Sequence, residues 1–169
     1  MTNPTKKPDI HTISILVANK PGVLVRCAQV FARRAYNIDS LVVSATTNPT
    51  YSRMTITAQG DPTILQQIIK QSAKLIDVIH VAEHTGVNAI TKEFALVKIK
   101  FSSAKKATLS SLLKKFNTSI SYQDKSIAII EQTGTTEELD LLEDGLKKYS
   151  IIEMVRSGKL VMAKGKETT

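Results

Sequence analysis

The strongest constraint on the fold of this chain is a hydrophobic pattern that runs through the first half of the sequence and then starts again. Apolar and polar residues alternate at 10–18, which predicts a strand with one buried face. Apolar residues then recur at helical spacing over about 21–34. Two strands around the turn cluster 46–50, a helix opened by an Asp-Pro pair at 61–62, and a fourth strand at 76–82 complete a β-α-β-β-α-β order.

The second half repeats this plan. A strand at 95–101, a helix through Leu109 and Phe116, two short strands, a helix opened by a Thr135–Glu138 capping box and a strand at 151–155 follow in the same order. The sequence therefore predicts an α+β protein built from two tandem ferredoxin-like (βαββαβ) domains. The expected organisation is a flexible N-terminus at 1–9, a first domain at 10–84, a linker at 85–92, a second domain at 93–163 and a tail at 164–169.

Composition indicates a globular protein without a membrane segment. Of the 169 residues, 42% are apolar and 22% are charged, which leaves enough apolar material for a core. No run approaches the roughly 18–20 consecutive apolar residues that cross a bilayer, and Met1–Asp9 lacks the apolar region of a signal peptide. The single cysteine, Cys27, lies on the apolar face of the first helix and is expected to be a buried, inert thiol. We therefore expect no membrane partner and no disulfide within the chain.

The net charge of +8 raises the question of a nucleic-acid partner. The lysines occur in scattered pairs, as at 105–106, 114–115 and 147–148, mostly on predicted polar helix faces or near the termini. The chain has no tryptophan and no cluster of aromatic residues that could stack on bases. We therefore expect no nucleic-acid partner. Salt-sensitive retention of the protein on DNA or RNA would instead support nucleic-acid binding.

The motifs of common catalytic sites are missing from the sequence. The three histidines, His11, His80 and His84, do not have the spacing of a metal-ligand set, and a single cysteine adds little to them. The sequence contains no Walker-type loop, no G-x-G-x-x-G and no G-x-S-x-G element. These observations favour a binding or regulatory protein without catalytic residues, metal or cofactor of its own.

One stretch, Asn19–Leu24, joins the first predicted strand to the first predicted helix and is the best candidate for a small-molecule site. The first N–H groups of a helix lack partners within the helix and attract an anion such as a carboxylate. Gly22 would allow such a ligand to approach the backbone closely. Ordinary turn chemistry at Pro21-Gly22 is the alternative reading. The equivalent stretch of the second half, 102–107, has no glycine, so the first domain is the better host.

Several segments resemble a known family. His11–Leu24 and Phe31–Leu41 resemble an ACT domain. The run Asn48–Ile56, with Arg156–Gly158 near the end of the chain, resembles the small, regulatory subunits of acetohydroxyacid synthase (acetolactate synthase). The resemblance covers about residues 10–165 and implies that the first domain is an ACT domain and that the second is ACT-like.

The resemblance also implies a function. Such a chain is a non-catalytic subunit that activates a thiamine-diphosphate-dependent catalytic large subunit and confers feedback inhibition by valine in branched-chain amino acid biosynthesis. Thiamine diphosphate, Mg and FAD are then expected on that partner alone. The resemblance implies a homodimer formed through the ACT domains, in a bacterial cytoplasm or a plastid stroma. An ACT-domain sensor that regulates a different enzyme or a transcription factor is the alternative.

The resemblance assigns the residues of an effector site shared between two chains. The N–H groups at the helix start would bind the carboxylate of the ligand. Asparagine oxygens would bind its ammonium group, and apolar side chains would contact its branched side chain. The family usually has a glycine before Tyr-Asn-Ile, where this chain has Ala35. The implied site consists of Asn19, Lys20, Pro21, Gly22, Val23 and Leu24 of one chain, facing Asn37 and Ile38 of its partner.

Overall fold

The computed structural model describes residues 10–86, 88–102, 105–116 and 118–169. They form two compact units: the described residues up to Ile90 together with Lys159–Thr169, and Thr91–Gly158. Each unit contains a four-stranded antiparallel arrangement with two helices. The predicted α+β class with two tandem ferredoxin-like domains is confirmed.

The first unit contains one sheet with its helices packed on a single face. The strand order is β2-β3-β1-β4, so β2 and β4 form the two edges. Alternation in β1 and β3 places Ile13, Ile15 and Ile56 in the same core as Phe31 and Leu65 of the two helices. The elements are β1 (Ile10–Ala18), α1 (Val23–Ala32), β2 (Ile38–Ala45), β3 (Tyr51–Gln59), α2 (Pro62–Ser72) and β4 (Val78–Glu83).

The second unit has the same order of elements. Its sheet runs β6-β7-β5-β8, and β9 pairs with β5. Val97 and Ile130 of the sheet pack with Leu109, Leu142 and Tyr149 in a separate core. The elements are β5 (Ala89–Lys100), α3 (Lys106–Phe116), β6 (Ser119–Gln123), β7 (Ile127–Gly134), α4 (Thr136–Leu146) and β8 (Ser150–Arg156). The last strand, β9 (Leu160–Ala163), lies in the segment that groups with the first unit.

Several element boundaries differ from the sequence prediction. β5 begins at Ala89, inside the stretch predicted as a linker at 85–92, because the alternation of half-buried and exposed residues extends back to that point. β9 was not predicted, since four residues after a glycine carry too little periodicity. The chain beyond β8 also returns to the first unit. The predicted N-terminal segment 1–9 lies outside the described residues.

The predicted helix caps are present. The Asp61 carboxylate accepts a hydrogen bond from the Thr63 N–H at 2.6 Å, and Pro62 occupies the first turn of α2. Thr135 and Glu138 form a complete capping box at the start of α4. Cys27 is fully buried, and burial raises the pKa of its thiol. It is therefore a core residue rather than a reactive group.

Arg156 has a clear structural role in the second unit. Its Nη2 donates to the buried Glu93 carboxylate at 2.7 Å, and its Nη1 donates to Asp140 at 2.6 Å. Glu93 sits on β5 and Asp140 on α4, so one guanidinium joins two strands and a helix. A buried carboxylate requires such a partner, because an isolated buried charge is costly.

None of the helices in the described part of the chain combines the length and the apolar character needed to cross a membrane. In the same described ranges, no group of three or more histidine, cysteine, aspartate or glutamate side chains is arranged to hold a metal ion. His11 instead pairs with Glu83, with 2.9 Å between Nδ1 and Oε1.

Ala35, three residues beyond the end of helix α1, adopts an unfavourable backbone conformation. Ala35 has φ of 50°, in the left-handed region that favours glycine, and its side chain is exposed. The Tyr36 N–H then donates to the Phe31 carbonyl at 3.1 Å and closes the helix end. Ala35 therefore holds a backbone conformation that glycine adopts more readily, and it accepts the strain.

We predict that Ala35→Gly raises the free energy of unfolding by about 0.5–1 kcal/mol, because the relief of left-handed strain exceeds the added chain entropy. Urea denaturation followed by circular dichroism measures the change. Ala28→Gly, in the middle of α1, is the matched control and should destabilise the protein. Equal destabilisation by both variants would contradict the assigned strain.

Candidate functional site

The turn between β1 and α1 is held against the β2–β3 hairpin. The Asn19 N–H donates to the Thr50 carbonyl at 2.8 Å, and the Asn19 Nδ2 donates to the Pro49 carbonyl at 3.0 Å. The Asn48 carboxamide oxygen in turn accepts hydrogen bonds from the backbone N–H and the hydroxyl of Thr50. The Asn-Pro-Thr run is therefore a turn, as predicted, and it also fixes the position of Asn19.

Helix α1 begins without a side-chain cap. Its N-cap residue is Gly22, with φ of 82° and ψ of −9°, a left-handed conformation that glycine adopts readily. The first bond of the helix runs from the Arg26 N–H to the Gly22 carbonyl at 3.1 Å. The N–H groups of Leu24 and Val25 precede that bond and point out of the helix start. By contrast, Asp61 and Thr135 cap α2 and α4.

Arg26 adds a cation to this turn, which the sequence analysis missed. Its Nη2 donates to the Asp77 carboxylate at 2.5 Å, and a Cβ placed on Gly22 would lie 3.1 Å from its Nη1. The guanidinium therefore lies beside the glycine, with one nitrogen held by Asp77. Arg26 stands four residues after Gly22, which is about one helical turn. That spacing is the sequence signal that could have placed the guanidinium near the glycine. Its partner Asp77 is distant in sequence.

The predicted turn residues divide into two groups. Asn19, Lys20, Pro21, Gly22 and Leu24 are exposed, and Leu24 retains 41% of its accessible surface. Val23 is different, because only 2% of its surface is exposed and its side chain belongs to the core of the first unit. The Val23 side chain therefore does not face a ligand in this conformation, and its part in the site stays a prediction. Val23 can meet a ligand through its backbone only.

The structure does not bring Asn37 and Ile38 to this turn within one chain. Ile38 pairs with Ala58, which pairs with His11, whereas the turn follows Ala18. Seven residues separate His11 from Ala18 on β1, or roughly 23 Å along the strand. The Asn37 Nδ2 donates to Asp39 at 3.1 Å within its own chain, and Ile38 packs on the edge of the core. The two groups of predicted residues lie at opposite ends of the sheet.

An open cavity lies elsewhere in the first unit. It measures about 590 Å³ and is bounded by the edge strand β4 and the C-terminal segment, with His80, His84 and Lys166 among its lining residues. Burial, followed by the nearby Arg53 and His80, lowers the pKa of His84. The predicted turn, by contrast, presents its donors on an exposed surface. An exposed set of donors is typical of one part of a site that a second surface completes, rather than of an enclosed pocket.

Comparisons with known proteins follow the same division into two domains. A family model described as AHAS small subunit-like ACT domain matches residues 13–80. A second model, described as small subunit of acetolactate synthase, matches residues 92–165. Together the two matches cover most of the chain.

Whole proteins are also similar. The chain is 39% identical over 155 residues to a probable acetolactate synthase small subunit of Archaeoglobus fulgidus, covering 92% of this chain and 97% of that protein. It is 37% identical to an acetolactate synthase small subunit of Mycolicibacterium smegmatis, and the match covers 92% of this chain and 91% of that protein. The crystal structure of an acetolactate synthase small subunit from Thermotoga maritima matches with a TM-score of 0.85 at 33% identity, covering 94% of this chain and 99% of that one.

Proposed function

We propose that this chain, which belongs to the family of acetolactate synthase small subunits, activates a catalytic large subunit and makes it sensitive to valine. Its first domain is an ACT domain and its role is regulatory. The observation that carries the valine proposal is the uncapped start of α1 at Gly22, where Arg26 adds a positive charge. Those groups have the chemistry of a carboxylate site.

The other parts of an amino acid also find suitable groups near this turn. The exposed side chains of Leu24 and Val25 offer apolar surface to a branched side chain. The carboxamide oxygen of Asn37 from a second copy of the chain, together with backbone carbonyls, would accept hydrogen bonds from the ammonium group. Asp77 holds one nitrogen of Arg26, so the guanidinium is positioned before any ligand arrives.

A homodimer formed through the β2 edge would unite the two halves of the site. β1 and β2 run parallel, because each pairs antiparallel with β3. When two copies pair their β2 edges about a two-fold axis, those strands run antiparallel. The start of β2 in one copy then lies at the same end of the joined sheet as the Asn19–Leu24 turn of the other. Asn37 and Ile38 would complete a site that a single chain leaves open.

The β2 edge itself supports this dimer. Leu41 and Val43 are 36% and 41% exposed. They stand opposite the buried Ile56 and Met54 in the sheet register, so they share the face that carries the helices. An exposed strand edge with an apolar stripe is a ready surface for a second strand. A second copy of this chain would cover that stripe.

The catalytic chemistry is assigned to the partner. We propose that thiamine diphosphate, Mg and FAD are held by the large subunit, and that this chain acts by binding to it. A change in the packing of the ACT dimer on valine binding would alter the activity of the partner through a coupling free energy between two sites. The bacterial or plastid location of the complex and the lack of a nucleic-acid partner stay predictions.

We predict that calorimetric titration of the full chain with valine gives a saturable heat, and that Gly22→Asp abolishes it. The added carboxylate would stand where the ligand carboxylate binds and would pair with Arg26. Gly165→Asp is the matched control, because Gly165 has a similar φ of 78° and nothing lies within 4 Å of its Cβ position. Valine binding should survive in that control.

Arg26→Met provides a second variant if Gly22→Asp folds poorly. It should weaken valine binding by about tenfold through loss of one charged hydrogen bond. Circular dichroism of each variant checks folding. Wild-type affinity in both Gly22→Asp and Arg26→Met would rule out the proposed turn.

We predict that Val43→Lys shifts the protein from dimer to monomer, because two buried ammonium groups would oppose each other near the two-fold axis. Sedimentation velocity measures the shift. Ile79→Lys is the matched control, since Ile79 is 52% exposed on β4, the other edge of the same sheet. A dimer that persists in Val43→Lys, or dissociates equally in the control, would contradict pairing through β2.

We predict that adding this chain to the catalytic large subunit raises the rate of acetolactate formation, and that valine then inhibits the complex. The large subunit alone is the control and should be less active and less sensitive to valine. An unchanged rate despite co-purification would remove the activating role, and failure to co-purify would favour a different partner.

A further inference from the structure

We propose that the second unit binds a small, multiply charged oxyanion, of the phosphate or polycarboxylate class, in a lysine-lined cavity at the turn between β5 and α3. The cavity measures about 240 Å³. That volume lies below the roughly 300–1,000 Å³ of sites for drug-sized ligands, so it suits an ion or the charged end of a larger molecule. Its described lining residues are Lys100, Phe101, Ser102, Lys105, Lys148, Tyr149 and Ser150.

The cations at this cavity lack acidic partners, unlike their neighbours. Among the described residues that line it, none is acidic, and the structure gives no ion pair to Lys100, Lys105 or Lys148 within the described ranges. Adjacent lysines are paired: Lys98 contacts Glu153 at 3.1 Å, and Lys147 contacts Asp144 at 2.6 Å. The unpaired positive charge is therefore concentrated at the cavity.

The side chains already converge on one ring. The Lys105 Nζ lies 5.9 Å from the centre of the Tyr149 ring and donates to the Lys148 carbonyl at 3.3 Å. The Lys148 Nζ lies 5.5 Å from the same centre. Two ammonium groups thus lie within 6 Å of the centre of one aromatic ring, despite their mutual repulsion. A bound anion would offset that repulsion.

Helix α3 contributes further positive potential. It begins at Lys106, and its first turn contains no acidic residue. The positive end of a helix dipole normally favours acidic residues, as in α4 of the same unit, where Glu137 and Glu138 occupy the first turn. The start of α3 therefore combines a helix dipole with lysines, which is an arrangement that an anion stabilises.

Tyr149 supplies an independent sign of an incomplete polar site. Only 4% of its surface is exposed, and its hydroxyl is buried without a hydrogen-bond partner in the described part of the chain. Buried hydroxyl groups are normally hydrogen-bonded, and an unsatisfied one is costly. Burial also raises the pKa of Tyr149, so the hydroxyl remains a donor. Tyr149 lines the cavity, so a bound anion would offer an acceptor to its hydroxyl.

The cavity occupies the place that corresponds to the β1–α1 turn of the first unit. Asp77 directly precedes β4, and Tyr149 directly precedes β8. The acidic residue that holds Arg26 in the first unit is therefore replaced by a phenol, and Gly22 has no glycine counterpart in 102–107. Long lysines would here reach a ligand that the backbone cannot approach. This ligand carries more negative charge than an amino acid, and its binding does not depend on the valine proposal.

Calorimetry of the full chain with pyrophosphate and with citrate, against sodium chloride at equal ionic strength, tests the inference. We expect pyrophosphate, citrate or both to bind with millimolar or tighter Kd, and the two arms distinguish the phosphate from the carboxylate class. Lys105→Gln with Lys148→Gln should weaken binding by about tenfold or more. The matched control is Lys98→Gln with Lys147→Gln, which removes two paired lysines of the same unit and should leave binding unchanged.

Tyr149→Phe keeps the ring and removes only the unpaired hydroxyl, so it should weaken anion binding severalfold while preserving the fold. Heats equal to those of chloride, or equal heats in the Lys105/Lys148 and Lys98/Lys147 variants, would overturn the proposal. Loss of large-subunit binding in Lys105→Gln with Lys148→Gln, without any anion binding to the wild type, would assign this surface to a protein contact instead.

Discussion

The burial of one apolar face of each sheet beneath two helices is the constraint on which the rest of the structure depends. In the first unit, alternation in β1 and β3 directs Ile13, Ile15 and Ile56 toward α1 and α2. Since both helices cover one face, each helix start lies at an end of the sheet, next to the strand that precedes it. The sites considered for both units occupy such a junction, and the chemistry there differs because the turn residues differ.

The two junctions illustrate how a repeat diverges without losing its fold. Both units retain apolar residues at the core positions, and these set the packing. The residues at the turns are exposed and bear little of that packing, so they can change. Gly22 with Arg26 gives an exposed turn with backbone donors and one guanidinium, whereas Lys105 and Lys148 give a side-chain-lined cavity. One architecture thus supports two different charge arrangements.

Much of the fold could be predicted from the sequence because its signals are local. Period-two alternation, helical spacing and the caps at Asp61 and Thr135 each depend on a few neighbouring residues. The contact between Arg26 and Asp77 could not be found this way, because 51 residues separate them and only the sheet order brings them together. The position of Val23 in the sequence also does not reveal that its side chain is buried in the core.

The parallel direction of β1 and β2 has a consequence for how the proposed effector site would respond in solution. If neither end of one sheet holds a whole ligand site, occupancy and self-association are linked, and mass action governs both. Apparent affinity for the effector then falls as the protein is diluted below the dissociation constant of the dimer, and effector in turn strengthens association. The chain would report its own abundance together with that of the amino acid, so expression level becomes a second input to feedback control.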